Sequence, residues 1–271
     1  MYKRPPIASG KFYPGTRGEL QKTVEDFLVE SETLEPAIGI VAPHAGYVFS
    51  GRTAGLVYAQ VEIPPVVLIM APNHTGEGIA IGGASIVSSG SFITPMGGMH
   101  IDEQLAGSLK ASCDLVKEDQ QAHDHEHSLE AQLPFLQVTR PDVRLVPLII
   151  NYDDPGPASI IGSAIARAVK DFEDEVLLVA SSDMTHYKSR AIASELDRLA
   201  IERVENLDPV GLLKVTREKG ITMCGRAPVA TMLVAARELG ASEARLVDYS
   251  DSGDAFGDTN SVVGYAGIVV R

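Results

Sequence analysis

The sequence has no tryptophan, only two cysteines and no long apolar run. The cysteines, Cys113 and Cys224, lie far apart in the chain, which favours free thiols in a reducing compartment over a disulfide. No apolar run reaches the roughly 20 residues that cross a bilayer. The basic start of the chain is not followed by an apolar signal core. We therefore expect a cytoplasmic protein with no membrane association.

Positive charge is also scarce. The chain has 23 Lys and Arg against 36 Asp and Glu, a formal net charge of −13, which disfavours binding to nucleic acid and to anionic membranes. The phosphate-binding loop, the dinucleotide glycine fingerprint and the G-x-S-x-G nucleophile elbow are absent from the sequence. Ser181 and Ser182 lie near His186 but without that elbow, so a serine hydrolase is disfavoured.

Apolar runs that alternate with helical patterns predict an α/β fold. The 271 residues, 45% of them hydrophobic, suffice for one large domain, and no linker marks a boundary. Buried strands are predicted at 37–42, 66–71, 144–150 and 176–180. A helical segment joins the first two strands, which we expect to be parallel neighbours. The prediction is a single αβα domain over residues 1–271, with a mostly parallel central sheet and helices on both faces.

Polar residues follow the predicted strands directly. His44 comes just after the first strand, and His74 ends the second in a similar Pro-containing turn. Asp183 and His186 follow the strand at 176–180. Ligands of open parallel sheets bind at the carboxyl ends of the strands, so we expect these side chains to share one site.

Two imidazoles and one further ligand can hold a metal ion and leave some of its coordination positions open. Cys224, at the start of a predicted helix, is the candidate third ligand, and the helix dipole is expected to lower the pKa of its thiol. Asp183 and His186 are spaced i,i+3, so a helical turn would place them on one face, as a general base and its orienting carboxylate.

The tract from His123 to His127 is a rival metal site, because its three alternating histidines would share one face of a strand. Composition favours another interpretation, an acidic solvated loop before a helix, with His123 and His125 in solvent. In that interpretation only Glu126 or His127 turns inward, where they support the pocket.

Five motifs, in this order, resemble the Memo family, and the resemblance covers nearly the whole chain. They are Ala42-Pro43-His44-Ala45-Gly46-Tyr47, Pro72-Asn73-His74, Glu126-His127-Ser128, Ser182-Asp183-Met184-Thr185-His186 and Cys224-Gly225-Arg226-Ala227-Pro228. The family is similar in fold to the LigB-type class III extradiol dioxygenases. In those enzymes two His and a Glu hold non-haem iron(II), and another His acts as a base.

The resemblance implies a metal site at His44, His74 and Cys224, with Asp183 and His186 as the adjacent polar pair. Residues of the same motifs are expected to line or support the pocket: Tyr47, Asn73, Glu126, His127 and Arg226. Cysteine replaces the glutamate of the dioxygenases, and a softer thiolate admits copper or zinc as well as iron(II). The prokaryotic group, AmmeMemoRadiSam system protein B, implies a functional link to radical-SAM and AMMECR-type proteins.

Three functions fit the sequence. The first is a non-haem iron-dependent oxidoreductase that uses this two-His/one-Cys site. The second is a non-catalytic module that binds a peptide or a modified side chain in the inherited pocket. The third is a zinc-type hydrolase with a metal-bound water and Asp183 as the base. We expect a small-molecule or peptide ligand, whose identity the sequence does not specify.

Overall fold

The long central strands of the structure follow the apolar runs of the sequence. The computed structural model describes residues 2–28 and 34–271. Within them the helices are α1 (Arg17–Phe27), α2 (Tyr47–Tyr58), α3 (Glu103–Ser112), α4 (Gln121–Asp124), α5 (His127–Glu130), α6 (Leu133–Thr139), α7 (Pro155–Lys170), α8 (Arg190–Glu205), α9 (Pro209–Lys219), α10 (Arg226–Glu238) and α11 (Gly253–Phe256). None of the helices in these residues combines the length and apolarity needed to cross a membrane.

The strands of the same residues form two sheets. They are β1 (Lys3–Arg4), β2 (Gly39–Ala42), β3 (Val66–Pro72), β4 (Ala84–Ile86), β5 (Ser91–Thr94), β6 (Gly97–His100), β7 (Val116–Glu118), β8 (Arg144–Ile150), β9 (Val176–Ser181), β10 (His186–Lys188), β11 (Ala244–Asp251) and β12 (Val262–Val270). The large sheet has the order β10-β12-β2-β9-β3-β8-β4-β7, with β11 paired to β12, and the small sheet has the order β1-β5-β6. The β5-β6 pair is an antiparallel hairpin.

The centre of the large sheet is parallel. Strands β2, β9, β3 and β8 run in one direction, whereas β12 and β4, on either side of them, are antiparallel to their neighbours β2 and β8. All seven residues of β3 are buried, as expected for a parallel strand that is covered on both faces. The predicted α/β fold with a mostly parallel sheet is confirmed, and the single domain over 1–271 stays a prediction.

Helices cover both faces of this sheet. A Cβ added to Gly39 of β2 would lie 2.8 Å from the sulfur of Met232 in α10. A Cβ added to Gly267 of β12 would lie 2.3 Å from a methyl of Val57 in α2. Gly39 pairs with Val270, which lies three residues after Gly267 in β12. Because side chains alternate along a strand, a Cβ at Gly39 and a Cβ at Gly267 would lie on opposite faces of the sheet. The predicted αβα layering is therefore present, with α10 and α2 on opposite sides.

The order of the central strands differs from the prediction. Strands β2 and β3 are not neighbours, because β9 lies between them, and Val179 of β9 pairs with Ile40 on one side and Ile69 on the other. The connection from β2 to β3 through α2 skips one strand position, which β9 fills. The apolar pattern of each strand does not specify its place in the sheet. As a result the end of β9, with Asp183, lies between the ends that carry His44 and His74.

The N-terminal arm is fixed by a buried ion pair. Arg4 and Glu130 are both fully buried and form a salt bridge. Glu130 also accepts hydrogen bonds from the backbone N–H groups of Ile7 and Ala8, each at 3.0 Å. The Arg4 Nε donates to the carbonyl of His123 at 2.7 Å. The arm therefore holds the segment that leads to Glu126 and His127.

Replacement of Arg4 by Met is expected to lower the free energy of unfolding by about 3–5 kcal/mol, because Glu130 would remain as a buried charge without its cation. Urea denaturation followed by circular dichroism measures this loss. Lys3→Met is the matched control, since the neighbouring Lys3 is exposed, and it should change stability by less than about 0.5 kcal/mol. Equal effects of the two substitutions would contradict a structural role for the buried pair.

Candidate metal centre at the carboxyl ends of the strands

Three polar residues come together where the parallel strands end. His44 follows β2, His74 follows β3 and Asp183 follows β9. The rings of His44 and His74 are 5.2 Å apart between centroids, at an angle of 73°. The Asp183 Oδ1 accepts hydrogen bonds from the backbone N–H groups of His44, at 2.8 Å, and of Ala45, at 3.3 Å. The carboxylate thus fixes the turn that carries His44.

Cys224 reaches the same place from the loop before α10. Its Sγ lies 3.3 Å from the Nε2 of His44 and accepts a hydrogen bond from the backbone N–H of Asp183, also at 3.3 Å. Gly225 permits this approach, because a Cβ there would lie 2.3 Å from the carbonyl oxygen of Ser181. A glycine after Cys224 is therefore required by the close contact between this loop and the end of β9.

His127 belongs to the same cluster. Its ring centroid is 4.9 Å from that of His74 and 5.7 Å from that of His44, and Phe12 packs against it at 4.3 Å. The possible metal-ligating atoms form two groups that share His44, within each of which the atoms lie no more than 4.8 Å apart. One group is His44, His74 and His127, and the other is His44, Asp183 and Cys224. The predicted set of His44, His74 and Cys224 is thus divided between two groups.

Glu126 orients His74. Its buried carboxylate accepts a hydrogen bond from the backbone N–H of His74 at 2.6 Å and pairs with the His74 Nδ1 at 2.9 Å. A third bond comes from the backbone N–H of Ser128 at 3.0 Å. Burial alone would raise the pKa of Glu126, but its bonds to His74 and Ser128 lower it to about 2. The ionised carboxylate can only accept, so the Nδ1 of His74 carries a hydrogen.

Burial also sets the charge of the other groups. It lowers the pKa of His44 to about 4 and lowers that of His127, so both rings are neutral at pH 7, as metal ligation requires. Burial acts in the same direction on His74, but the bond to Glu126 outweighs it and raises the pKa of His74 above its ordinary value. Burial and the charge of Asp183 raise the pKa of the Cys224 thiol. The expected lowering of that pKa by the helix dipole is therefore wrong, because desolvation is the larger effect.

The predicted helical turn between Asp183 and His186 is also wrong. His186 begins the short strand β10 and pairs with Val263 of β12. Its backbone N–H donates to the hydroxyl of Thr222 at 2.7 Å, and its Nδ1 lies 3.1 Å from the carbonyl oxygen of Thr222. The i,i+3 spacing aligns side chains only in a helix. Among the described residues Thr222, rather than Asp183, orients the ring of His186.

A cavity of about 310 Å³ opens beside the cluster. His74 and Cys224 line it together with Asn73, Arg226 and residues of the segment 150–153. The Nη2 of Arg226 forms an ion pair with Asp153 at 2.6 Å. Asn73 and Arg226 therefore line this cavity, and their role in a functional site stays a prediction.

Tyr47 lies in the core rather than at this cavity. It begins α2 and is buried, and its hydroxyl donates to the carbonyl of Ala131 at 2.7 Å. Its ring packs on that of Phe135 at 5.0 Å between centroids. Its place in the same motif as His44 therefore does not bring its side chain to the cavity.

The tract around His123 does not form a separate metal site within the described residues. His123 is buried in α4, where its Nε2 lies 3.1 Å from the carbonyl oxygen of Ser85, so its expected place in a solvated loop is wrong. His125 is exposed, as predicted, and pairs with Glu77 at 2.9 Å. The helical turn of α4 breaks the strand-like alternation, and the three rings therefore point to different surroundings.

Two residues near the cluster carry a role that the sequence did not reveal. Ser181, the last residue of β9, lies 2.8 Å from the Nδ1 of His44. The amide of Gln132 donates to Ser181 at 2.8 Å and also faces the carbonyl of Pro43 at 3.1 Å. In the sequence, a serine at the end of a buried strand is the only signal of such a contact, and it equally suggests a hydrolase nucleophile.

The sequence pattern of the Memo-like protein family matches residues 4–269. The chain belongs to the Memo family. A MEMO1 family protein of Methanopyrus kandleri is 38% identical over 99% of this chain and 99% of its own length. One from Methanosarcina barkeri is 39% identical over 99% of this chain and 100% of its own length. The predicted resemblance to the Memo family is thus confirmed over the full chain.

One solved structure is similar to this Memo-family chain in fold. It is the crystal structure of an uncharacterized protein from Escherichia coli K12, with a TM-score of 0.53 over 85% of this chain and 98% of that chain. The two sequences are 14% identical, so the match shows a shared fold and no more.

Replacement of Gly225 by Ala is expected to lower the free energy of unfolding by about 1–3 kcal/mol, because the new methyl group would collide with the end of β9. Thermal or urea denaturation measures the loss. Gly107 in α3 is the matched control, since a Cβ there meets nothing within 4 Å. Gly107→Ala should stabilise the protein by up to about 1 kcal/mol, and a stabilising Gly225→Ala would contradict the close contact.

Proposed function

We propose that this Memo-family chain is a metal-dependent oxidoreductase that resembles the class III dioxygenases. Its metal would be iron(II), held by His44, His74 and Cys224, with copper or zinc as alternatives. The observation that carries the proposal is the convergence of imidazole, thiol and carboxylate groups around His44, beside a cavity at the carboxyl ends of parallel strands.

The donor atoms fit a metal of intermediate softness. The Nδ1 atoms of His44 and His74 are occupied by Ser181 and Glu126, which leaves the Nε2 atoms for a metal. Buried outer partners of this kind orient metal-binding histidines in many proteins. A thiol 3.3 Å from the His44 Nε2 adds a soft ligand, which suits iron, copper or zinc better than magnesium or calcium.

The cavity supports a small ligand at this site. It has a volume of about 310 Å³ and is lined by polar groups of Asn73, Asp153 and Arg226 as well as by His74 and Cys224. When bound, iron(II) at such a set would supply one-electron chemistry and open coordination positions. The residues of this chain would orient the ligand through the guanidinium of Arg226, because the amide of Asn73 already bonds to Glu77 and Gly76 of its own turn.

His186 is proposed as the base of the reaction. Its Nδ1 faces the carbonyl oxygen of Thr222, which can only accept, so the lone pair of the neutral ring lies on Nε2, the position that a base needs. Asp183 acts on His44 and Ala45 instead of on His186. The link to radical-SAM and AMMECR-type proteins stays a prediction from the family resemblance.

A zinc-dependent hydrolase is the second candidate, and one observation favours it. His44, His74 and His127 form a group of three imidazoles, a ligand set that holds catalytic zinc with one open position. In this case Cys224 would lie outside the ligand set and Asp183 would be the base. The identity of the third ligand therefore separates the two candidates.

The third ligand is tested by metal analysis of protein purified without oxygen. Cys224→Ser should weaken iron(II) binding by more than the roughly 10–100-fold that the loss of an outer partner costs. His127→Gln, a change in the same cluster, should weaken it by less than about tenfold. Elemental analysis and titration with iron(II) measure both. The reverse order of the two variants, with zinc as the metal retained, would favour the hydrolase.

Metal binding should also stabilise the fold. Iron(II) at 100 times its dissociation constant is expected to raise the free energy of unfolding by about 2.7 kcal/mol, because it binds only the folded chain. Anaerobic thermal unfolding with and without a chelator measures this gain. The gain should be much smaller in Cys224→Ser at the same iron concentration. An unchanged gain in that variant would exclude Cys224 as a ligand.

A further inference from the structure

A short chain of buried hydrogen bonds leads from Gln132 through Ser181 to His44. We propose that Ser181 and Gln132 are positioning residues, which hold His44 in the tautomer with its hydrogen on Nδ1 and its lone pair on Nε2. The consequence for a metal rests on the proposed function, whereas the tautomer itself is a property of the metal-free protein. All three side chains are buried, so water does not compete for these bonds.

The partners of Ser181 decide where the hydrogens lie. The Ser181 Oγ is 2.8 Å from the carbonyl oxygen of Ser128, 2.8 Å from the Nε2 of Gln132 and 2.8 Å from the Nδ1 of His44. A serine hydroxyl has one hydrogen and two acceptor positions. A carbonyl can only accept, so the single hydrogen of Ser181 goes to Ser128. The other two partners must therefore donate.

The amide of Gln132 donates because its orientation is fixed. Its Nε2 faces the carbonyl oxygens of Pro43 at 3.1 Å and Ala42 at 3.3 Å. Its Oε1 accepts from the hydroxyl of Tyr58 at 3.0 Å. A reversed amide would place its oxygen against two carbonyl oxygens, which repel it. With one amide hydrogen on Ser181, the last acceptor position is left for the Nδ1–H of His44.

The tautomer directs the free nitrogen of His44 to the cluster. With hydrogen on Nδ1, the neutral ring has its lone pair on Nε2. That atom is 3.3 Å from the Sγ of Cys224 and 3.9 Å from the Oδ2 of Asp183. Ser181 thus accepts the Nδ1–H of His44, as Glu126 accepts the Nδ1–H of His74. Glu126 is ionised and can only accept, whereas the neutral hydroxyl of Ser181 accepts because its own hydrogen goes to Ser128 and because Gln132 also donates to it.

The tautomer is tested by long-range proton–nitrogen NMR spectra of the metal-free protein labelled with ¹⁵N-histidine, at pH 7.5. His44→Gln identifies the signals of His44 by their loss. The wild type should show hydrogen on Nδ1. Ser181→Ala should give a mixture that includes hydrogen on Nε2, whereas Ser181→Thr, which keeps the hydroxyl, should restore the wild-type pattern. Ser85→Ala removes an equally buried hydroxyl elsewhere and should leave the signals of His44 unchanged.

Hydrogen on the Nε2 of His44 in the wild type would overturn the proposal, and this measurement needs no Ser181 variant to fold. The same tautomer in Ser181→Ala as in the wild type would also overturn it. In titrations with iron(II) alone, Ser181→Ala should bind about 10–100-fold more weakly than the wild type. A changed tautomer with unchanged iron(II) binding supports the positioning role and contradicts His44 as a metal ligand, so the two proposals fail separately.

Discussion

The candidate site depends on one constraint, that the ring of each histidine at the strand ends needs a partner at its Nδ1 to hold it in one orientation. His74 meets it with the carboxylate of Glu126, and His44 meets it with the hydroxyl of Ser181. Burying the ring of His44 without such a bond would cost about 1–3 kcal/mol. The partners also set the direction of each ring, because a hydrogen on Nδ1 leaves the lone pair on Nε2. The same bonds therefore stabilise the fold and prepare the donor atoms.

These partners come from segments that the tertiary structure holds in place. Glu126 lies at the end of a stretch whose backbone carbonyls are bound by the buried Arg4 of the N-terminal arm. Ser181 is the last residue of the central strand β9, and Gln132 lies between α5 and α6. The arm, the centre of the sheet and a helical connection thus converge on two imidazoles. Changes far from the cluster in sequence can alter it for this reason.

The fold class could be predicted from the sequence because each apolar run specifies a strand by itself. The bounds of β3 and β8 differ from the predicted ones by at most one residue. The order of the strands could not be predicted from the sequence, because nothing in the apolar runs at 39–42 and 66–72 indicates that β9 lies between them. The helix-based pairing of Asp183 with His186 failed for a related reason. A spacing acquires meaning only after the local conformation is known, and this segment is extended.

The sequence by itself determined the α/β class, the family and the positions of His44, His74 and Cys224 next to predicted element ends. It did so because these features are local: an apolar run, a Pro-His turn, a motif. Only the tertiary structure decided that His127 forms one possible ligand group with His44 and His74, that Tyr47 stays in the core, and that burial raises the pKa of the Cys224 thiol. Desolvation and hydrogen-bond partners depend on which distant segments pack together, and a linear pattern does not contain that information.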